Sequence, residues 1–161
     1  MSSRGYCRAV DRLDMAALRQ VYHPDAVDDH GSYAGGVDGL LEHVVEVTGN
    51  MTQLQHRLGQ CLIELASPDV AVVETYFMVQ YSPDPPGDGQ PAPDSALTFG
   101  RYVDRAERRD GSWRIAQRTV VYEGRVIART GSPAASGPDA QQHRGPDDPI
   151  YRYRAAAGLP S

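Results

Sequence analysis

His56 is the side chain that its neighbours best place for chemistry. In the run Leu54-Gln55-His56-Arg57-Leu58, strand alternation puts Leu54, His56 and Leu58 on one face and Gln55 and Arg57 on the other. The histidine therefore points with the apolar residues. A buried imidazole needs partners for its ring nitrogens, so one reading is a satisfied core histidine. The other is a general base, because imidazole titrates near neutral pH. Asp11 closes the first helical segment, where an aspartate is usually solvated or caps the backbone. Set against a histidine, it would hold the ring tautomer and stabilise the imidazolium. Tyr6 lies about 140° around the helix from Asp11, yet both could reach a pocket over the helix end.

A second group is Asp28-Asp29-His30-Gly31. Its acidic neighbours would favour the charged form of His30, or the cluster, with His23 and Asp25, could hold a metal. No HxH, HExxH or cysteine pair supports a metal, and none is assigned. His43, between Glu42 and Glu46, reads as a polar helix face, and His143 falls in the tail. The late strands bring Arg101, Tyr102 and Asp104, then Arg118, Tyr122 and Glu123. Arg118 shares a face with Ala116, Val120 and Tyr122. An inward arginine needs an anion or carboxylate partner; the alternative is a solvated face at the mouth of a cavity.

These side chains need elements to carry them. Apolar spacing predicts helices over 3–13 and 14–22, with Asp14 capping the second and His23-Pro24 stopping it. Residues 25–36 read as a short strand or loop and a glycine-rich turn. Asp38 is placed to cap a third helix, 38–48, with Leu40, Leu41, Val44, Val45 and Val47 as its stripe and Gly49-Asn50 as its end. Four β-rich runs follow, 51–66, 69–82, 96–109 and 112–124, with Asp110-Gly111 a hairpin signal. Gly59 and Gly100 are candidate bends in these strands. The loop 83–95 reads as mobile, and the Gly/Pro-rich stretch 130–148 as extended or disordered. Aromatics return at Pro149-Ile150-Tyr151-Arg152-Tyr153, an anchor for docking on the domain or on a neighbouring subunit.

Helices followed by antiparallel strands make an α+β fold. Helices packed on a strongly curved antiparallel sheet predict a cone-shaped barrel enclosing a pocket. The domain covers 1–128 and the tail 129–161.

Composition sets limits. The 161 residues suffice for one domain, and 40% are apolar. Every one of the 16 Lys+Arg positions is Arg, so lysine Schiff-base chemistry is excluded. With a net charge of −5 and no basic patch, nucleic acid and anionic membrane are not expected partners. No apolar run approaches the roughly 18 residues of a membrane span. The charged N-terminal stretch does not read as a secretion signal. Cys7 and Cys61 lack metal spacing and read as reduced thiols of a cytoplasmic protein.

The order of these features resembles the SnoaL-like branch of the nuclear-transport-factor-2-like superfamily. The similarity is to its scytalone dehydratase, bile acid 7α-dehydratase and hexachlorocyclohexane dehydrochlorinase members, over residues 1–125. It is carried by Tyr6-x4-Asp11-Arg12-Leu13-Asp14, His23-Pro24-Asp25-Ala26-Val27-Asp28, Gln55-His56-Arg57-Leu58-Gly59, Gly100-Arg101-Tyr102-Val103-Asp104 and Asp110-Gly111-Ser112-Trp113-Arg114-Ile115. In those lyases a helix Asp and a strand His form the catalytic dyad, which the resemblance puts at Asp11 and His56. A helix tyrosine of the bile acid enzymes falls on Tyr6. The place of their second tyrosine holds His30 here, with Tyr33 close by. Gln80 stands where scytalone dehydratase has another pocket histidine, and a late pocket arginine corresponds to Arg118.

The resemblance thus implies His56, Asp11, Tyr6 and His30 as catalytic residues. Tyr33, Arg101, Tyr102, Arg118 and Tyr122 are the candidate substrate contacts. It implies a cofactor-independent, dehydratase-type elimination on a hydrophobic, aromatic or polycyclic small molecule, in a homo-oligomer with a trimer favoured. The alternatives are a formaldehyde-releasing lyase of lignin-derived dimers, an isomerase or cyclase using the same base, and a non-catalytic small-molecule-binding module.

Overall fold

A computed structural model of the chain describes residues 2–83, 95–128 and 143–159. In α1 (Ser2–Arg12), Ser3, Tyr6, Cys7 and Val10 share one buried face, the spacing of a helix laid on a core. Leu13, at φ 54°, ends it in the left-handed region. Asp14 then starts α2 (Met15–Val21) by accepting the Ala17 amide at 2.9 Å. Tyr22 is already extended, so the His23-Pro24 pair lies inside β1 (Tyr22–Asp29) and does not itself stop α2. Proline cannot donate to a ladder, and the pairing of β1 shifts register between Tyr22 and Val27.

β2 (Ala34–Gly36) pairs antiparallel with β1 and leads into α3 (Val37–Thr48). α3 buries Val37, Leu40, Leu41 and Val44. Val45 and Val47, expected in that stripe, are 48% and 45% exposed, one step round the helix. Asp38 does not cap α3. Gly36 holds the cap position, and Asp38 sits in the first turn, 2.6 Å from Arg19.

The strand runs become β3 (Met51–Ser67), β4 (Val70–Pro83), β5 (Ser95–Arg109) and β6 (Ser112–Ala128). Asp110 and Gly111, at φ 51° and 77°, make the β5–β6 turn in the left-handed conformation that a tight hairpin needs. The six strands run in the order β2-β1-β6-β5-β4-β3. The sheet curls but does not close into a barrel, and it is mixed, because β1 runs parallel to β6. Helices packed on a strongly curved sheet are the expected α+β fold, and the parallel β1–β6 ladder is a detail added to it. β1 reaches β6 only through α3 and a three-strand meander, the long crossover that parallel neighbours require. Register slips fall at Leu58/Cys61, around Gly59, and at Phe99/Gly100. A Cβ on Gly100 would lie 2.1 Å from the Val121 carbonyl oxygen, so the bend there needs glycine.

The helices cover the inner face of the sheet. Leu18, Tyr22, Leu40, Leu54, Phe77, Tyr102, Ile115 and Val120 form the core between them. After residue 142, the chain returns to the far end of α1. The Gly145 amide donates to the Arg12 carbonyl at 2.7 Å, and Asp148 pairs with Arg12 at 2.6 Å. Asp148 also caps α4 (Pro149–Ala156), whose Tyr151 hydroxyl donates to Asp14 at 2.9 Å. Most of the loop read as mobile and of the stretch read as extended or disordered lies outside the described residues. No described helix is long and apolar enough to cross a membrane.

Candidate active site

Asp11 is the last acidic residue of α1, and its carboxylate reaches β3 at His56. Oδ1 lies 2.6 Å from His56 Nδ1, and the His56 amide donates to Oδ2 at 3.0 Å and to Oδ1 at 3.2 Å. The carboxylate thus grips both the ring and the backbone of one residue. Both side chains are nearly buried, 8% exposed for His56 and 11% for Asp11. A carboxylate on Nδ1 fixes the neutral ring with its proton on that nitrogen and a lone pair on Nε2. That is the form in which imidazole accepts a proton from a substrate.

A second Asp–His pair stands beside the first. His30 Nδ1 contacts Asp28 Oδ1, and His30 Nε2 is 2.8 Å from the Tyr6 hydroxyl. Tyr22 donates its hydroxyl to the other oxygen of Asp28 at 2.6 Å. Tyr6 joins the two pairs: its ring centre is 5.8 Å from that of His30 and 6.2 Å from that of His56, edge-on to the latter. Burial pushes the Tyr6 phenol well above its ordinary pKa, although the nearby Arg118 charge opposes this. Tyr6 therefore keeps its proton at neutral pH and is available as a donor.

Beneath Tyr6 lies a buried ion pair. Arg118 Nε and Nη2 each donate to Asp104 at 2.7 Å, and Nη2 also reaches Ser3 Oγ at 3.2 Å. Neither charged side chain has any exposed surface. The guanidinium lies 4.5 Å from the Tyr6 ring centre and 4.1 Å from that of Tyr102. Nη1 has no hydrogen-bond partner among the described residues, and contact with the two aromatic faces offsets part of that cost. Of the two readings of Arg118, the structure has the inward one, but the side chain is sealed under Tyr6. Tyr102, only 2% exposed, stacks on Phe77 at 4.4 Å in the same core.

The other expected contacts are dispersed. Arg101 alternates to the outer face of β5, between Glu74 at 2.5 Å and Glu123 at 2.7 Å, and so stands away from the cluster. Tyr33 stacks on His43 and donates to the Gly36 carbonyl at 2.6 Å. Tyr122 is half exposed on the same face as Phe77, which it meets edge-on at 6.3 Å. His23 is a satisfied core histidine, bonded to the Glu107 carbonyl at 3.0 Å.

Sequence reasoning set Asp28 beside His30 but assigned no role to Tyr22, Asp104 or Ser3. The i, i+2 spacing of Asp28 and His30 across the end of β1 was a usable signal. Asp104 was hidden, because a straight hairpin register from Arg109↔Ser112 sets it opposite Gln117. A bulge between Arg105 and Ala106 moves Arg118 into that place.

A SnoaL-like domain model matches residues 3–119, which include both Asp–His pairs, Tyr6 and the Arg118–Asp104 pair. The chain belongs to the SnoaL-like family. No curated protein matches this SnoaL-like chain in sequence. Among solved structures, it resembles hexachlorocyclohexane dehydrochlorinase LinA type 2, with TM-score 0.70 and 19% identity over 82% of this chain and 89% of that one. LinA type 3 from Novosphingobium barchaimii LL02 gives 0.68 and 19%, over 81% and 89%. A scytalone-dehydratase-like protein from Novosphingobium aromaticivorans DSM 12444 gives 0.64 and 15%, over 83% and 88%. At these identities the likeness is one of fold, and the neighbours are dehydratase- and dehydrochlorinase-type proteins.

Proposed function

We propose that this SnoaL-like protein is a cofactor-independent lyase. It eliminates water from a hydrophobic, aromatic or polycyclic small molecule that carries a hydroxyl β to an activating carbonyl. The observation that carries this reading is the 2.6 Å bond between Asp11 and His56 Nδ1, which leaves Nε2 as the basic nitrogen. The neighbours named as dehydrochlorinase or scytalone-dehydratase-like add support, since both names denote eliminations.

In this mechanism His56 Nε2 removes the proton from the carbon next to the carbonyl, and Asp11 stabilises the imidazolium that forms. The C–H electron pair becomes the new double bond as the C–O bond breaks. The departing oxygen takes the Tyr6 phenol proton and leaves as water. Tyr6 regains a proton from His30 Nε2, while Asp28 accepts from Nδ1 on the other side of the ring. The proton on His56 is then lost to solvent, and His30 takes one up, which closes the cycle. Leu54, Leu58, Phe77 and Val79, packed in the same core cluster, supply apolar surroundings suited to such a substrate.

The test is turnover of a panel of aromatic and polycyclic β-hydroxy carbonyl compounds, with products identified by mass. The wild-type protein is expected to release water from at least one of them. His56→Ala should lose roughly 10²- to 10⁴-fold in rate. A folded His56→Ala variant with unchanged turnover would end this reading. A product of unchanged mass would point to isomerisation by the same base.

A further inference from the structure

Arg144 lies beyond the 3–119 match of the family model, yet its guanidinium meets the backbone on which the Asp11–His56 pair is built. Nε donates to the Asp11 carbonyl and Nη2 to the Val10 carbonyl, both at 3.1 Å. Nη1 donates to the Thr48 carbonyl and, at 3.1 Å, to the Met51 carbonyl. Nη2 also reaches Thr48 Oγ1 at 3.3 Å.

These acceptors belong to three elements. Val10 and Asp11 are in the last turn of α1, Thr48 closes α3, and Met51 opens β3. The last carbonyls of a helix have no partner within it, and they carry the negative end of the helix dipole. One planar cation therefore serves two helix ends and the start of the strand that leads to His56. Its hold on the Asp11 carbonyl fixes the backbone of one member of the pair. Its hold on Met51 fixes the entry to the strand of the other. The tail is itself secured just after the contact, through Gly145 to the Arg12 carbonyl at 2.7 Å and Asp148 to Arg12 at 2.6 Å.

We infer that Arg144 is a positioning residue: the C-terminal segment clamps the end of α1 to the start of β3 and so sets the distance between Asp11 and His56. This rests on the reading of Asp11 and His56 as the working pair, but its test reads geometry and needs no substrate.

The His56 amide donates to the Asp11 carboxylate, so its hydrogen exchange reports the contact directly. Exchange would be followed by NMR on the full chain. In Arg144→Ala, protection at the His56 amide should fall roughly tenfold or more, while core amides such as Tyr102 change less than about twofold. Arg144→Lys keeps the charge but not the fork, and should recover only part of the protection. Should Arg144→Ala fail to fold, Asp148→Asn loosens the tail at its other anchor, and a selective loss at His56 is expected there too. Unchanged protection at His56, or a loss no larger than at the core amides, would overturn the clamp. If the clamp stands and His56→Ala still turns substrate over normally, the proposed chemistry fails alone.

Discussion

The two Asp–His pairs of this protein are built in opposite ways. Asp28 and His30 are two residues apart, one on β1 and one just past its end, while Asp11 and His56 are 45 apart and join a helix to a strand. The local pair needs only the end of β1 and the turn that follows it. The distant pair needs α1 to lie on β3 with the right end over the right residue. Their second nitrogens differ as well. His30 Nε2 is engaged by Tyr6, whereas His56 Nε2 makes no hydrogen bond among the described residues. The distant pair is thus the one left with a free base, and the local pair is the one wired to a proton donor. The proposed division into base and acid rests on this connectivity.

The largest expected effect comes from breaking the distant pair. Asp11→Asn should keep the fold but lower turnover by roughly 10²- to 10⁴-fold, because an amide no longer fixes the tautomer or stabilises the imidazolium. Steady-state rates together with a circular-dichroism spectrum check this. Near wild-type turnover in a folded Asp11→Asn would mean that the two pairs do not divide the work.

Next in size is the ion pair under Tyr6, the residue that joins the pairs. Asp104→Ala leaves the Arg118 charge buried without its carboxylate, and should cost about 3–5 kcal/mol of stability in urea unfolding. A loss below about 1 kcal/mol would show that Arg118 finds water or another partner.

Alkaline pH probes the same core. Burial raises Tyr6, Tyr22 and Tyr102 well above their ordinary value of 10.0 and pushes Cys7 from 9.0 up to about 12. Above those ordinary values the unfolded chain releases protons that the folded chain retains, so stability must fall as pH rises. Each such group adds a slope of about 1.4 kcal/mol per pH unit. The urea midpoint should be flat with respect to these groups below about pH 8.5 and drop steeply from about pH 9 to 11. A midpoint that holds steady to pH 11 would contradict the burial of these groups.

Breaking the local pair should be milder and selective. Asp28→Asn is expected to slow loss of water by roughly 10- to 100-fold, and to matter much less for a substrate whose leaving group needs no proton. Comparing one substrate skeleton with a hydroxyl and with a chloride measures that selectivity. An equal loss on both would place Asp28 in folding and not in acid catalysis.

The contrast between the pairs also explains what could be read beforehand. The strands, the Asp110-Gly111 hairpin and the inward aim of His56 were legible because alternation and turn chemistry are local. The Asp28–His30 neighbourhood was legible because it is local, though its link to Tyr6 and Tyr22 was not. The Asp11 contact entered through family resemblance alone, since helix spacing does not say which strand lies beneath. The Arg118–Asp104 pairing was masked by one bulge, and the parallel β1–β6 ladder by a long crossover. Arg144 sits in a glycine- and proline-rich run, where an arginine reads as solvated.

The most direct test of the base is deuterium uptake. An aryl ketone with no leaving group would be incubated with the protein in D₂O, and exchange at the carbon next to its carbonyl followed by NMR. The wild-type protein should accelerate exchange at that carbon, His56→Ala should lose at least roughly 10²-fold, and Asp28→Asn should change little. Equal exchange by wild-type protein and a folded His56→Ala variant would contradict the assignment of His56 as the base.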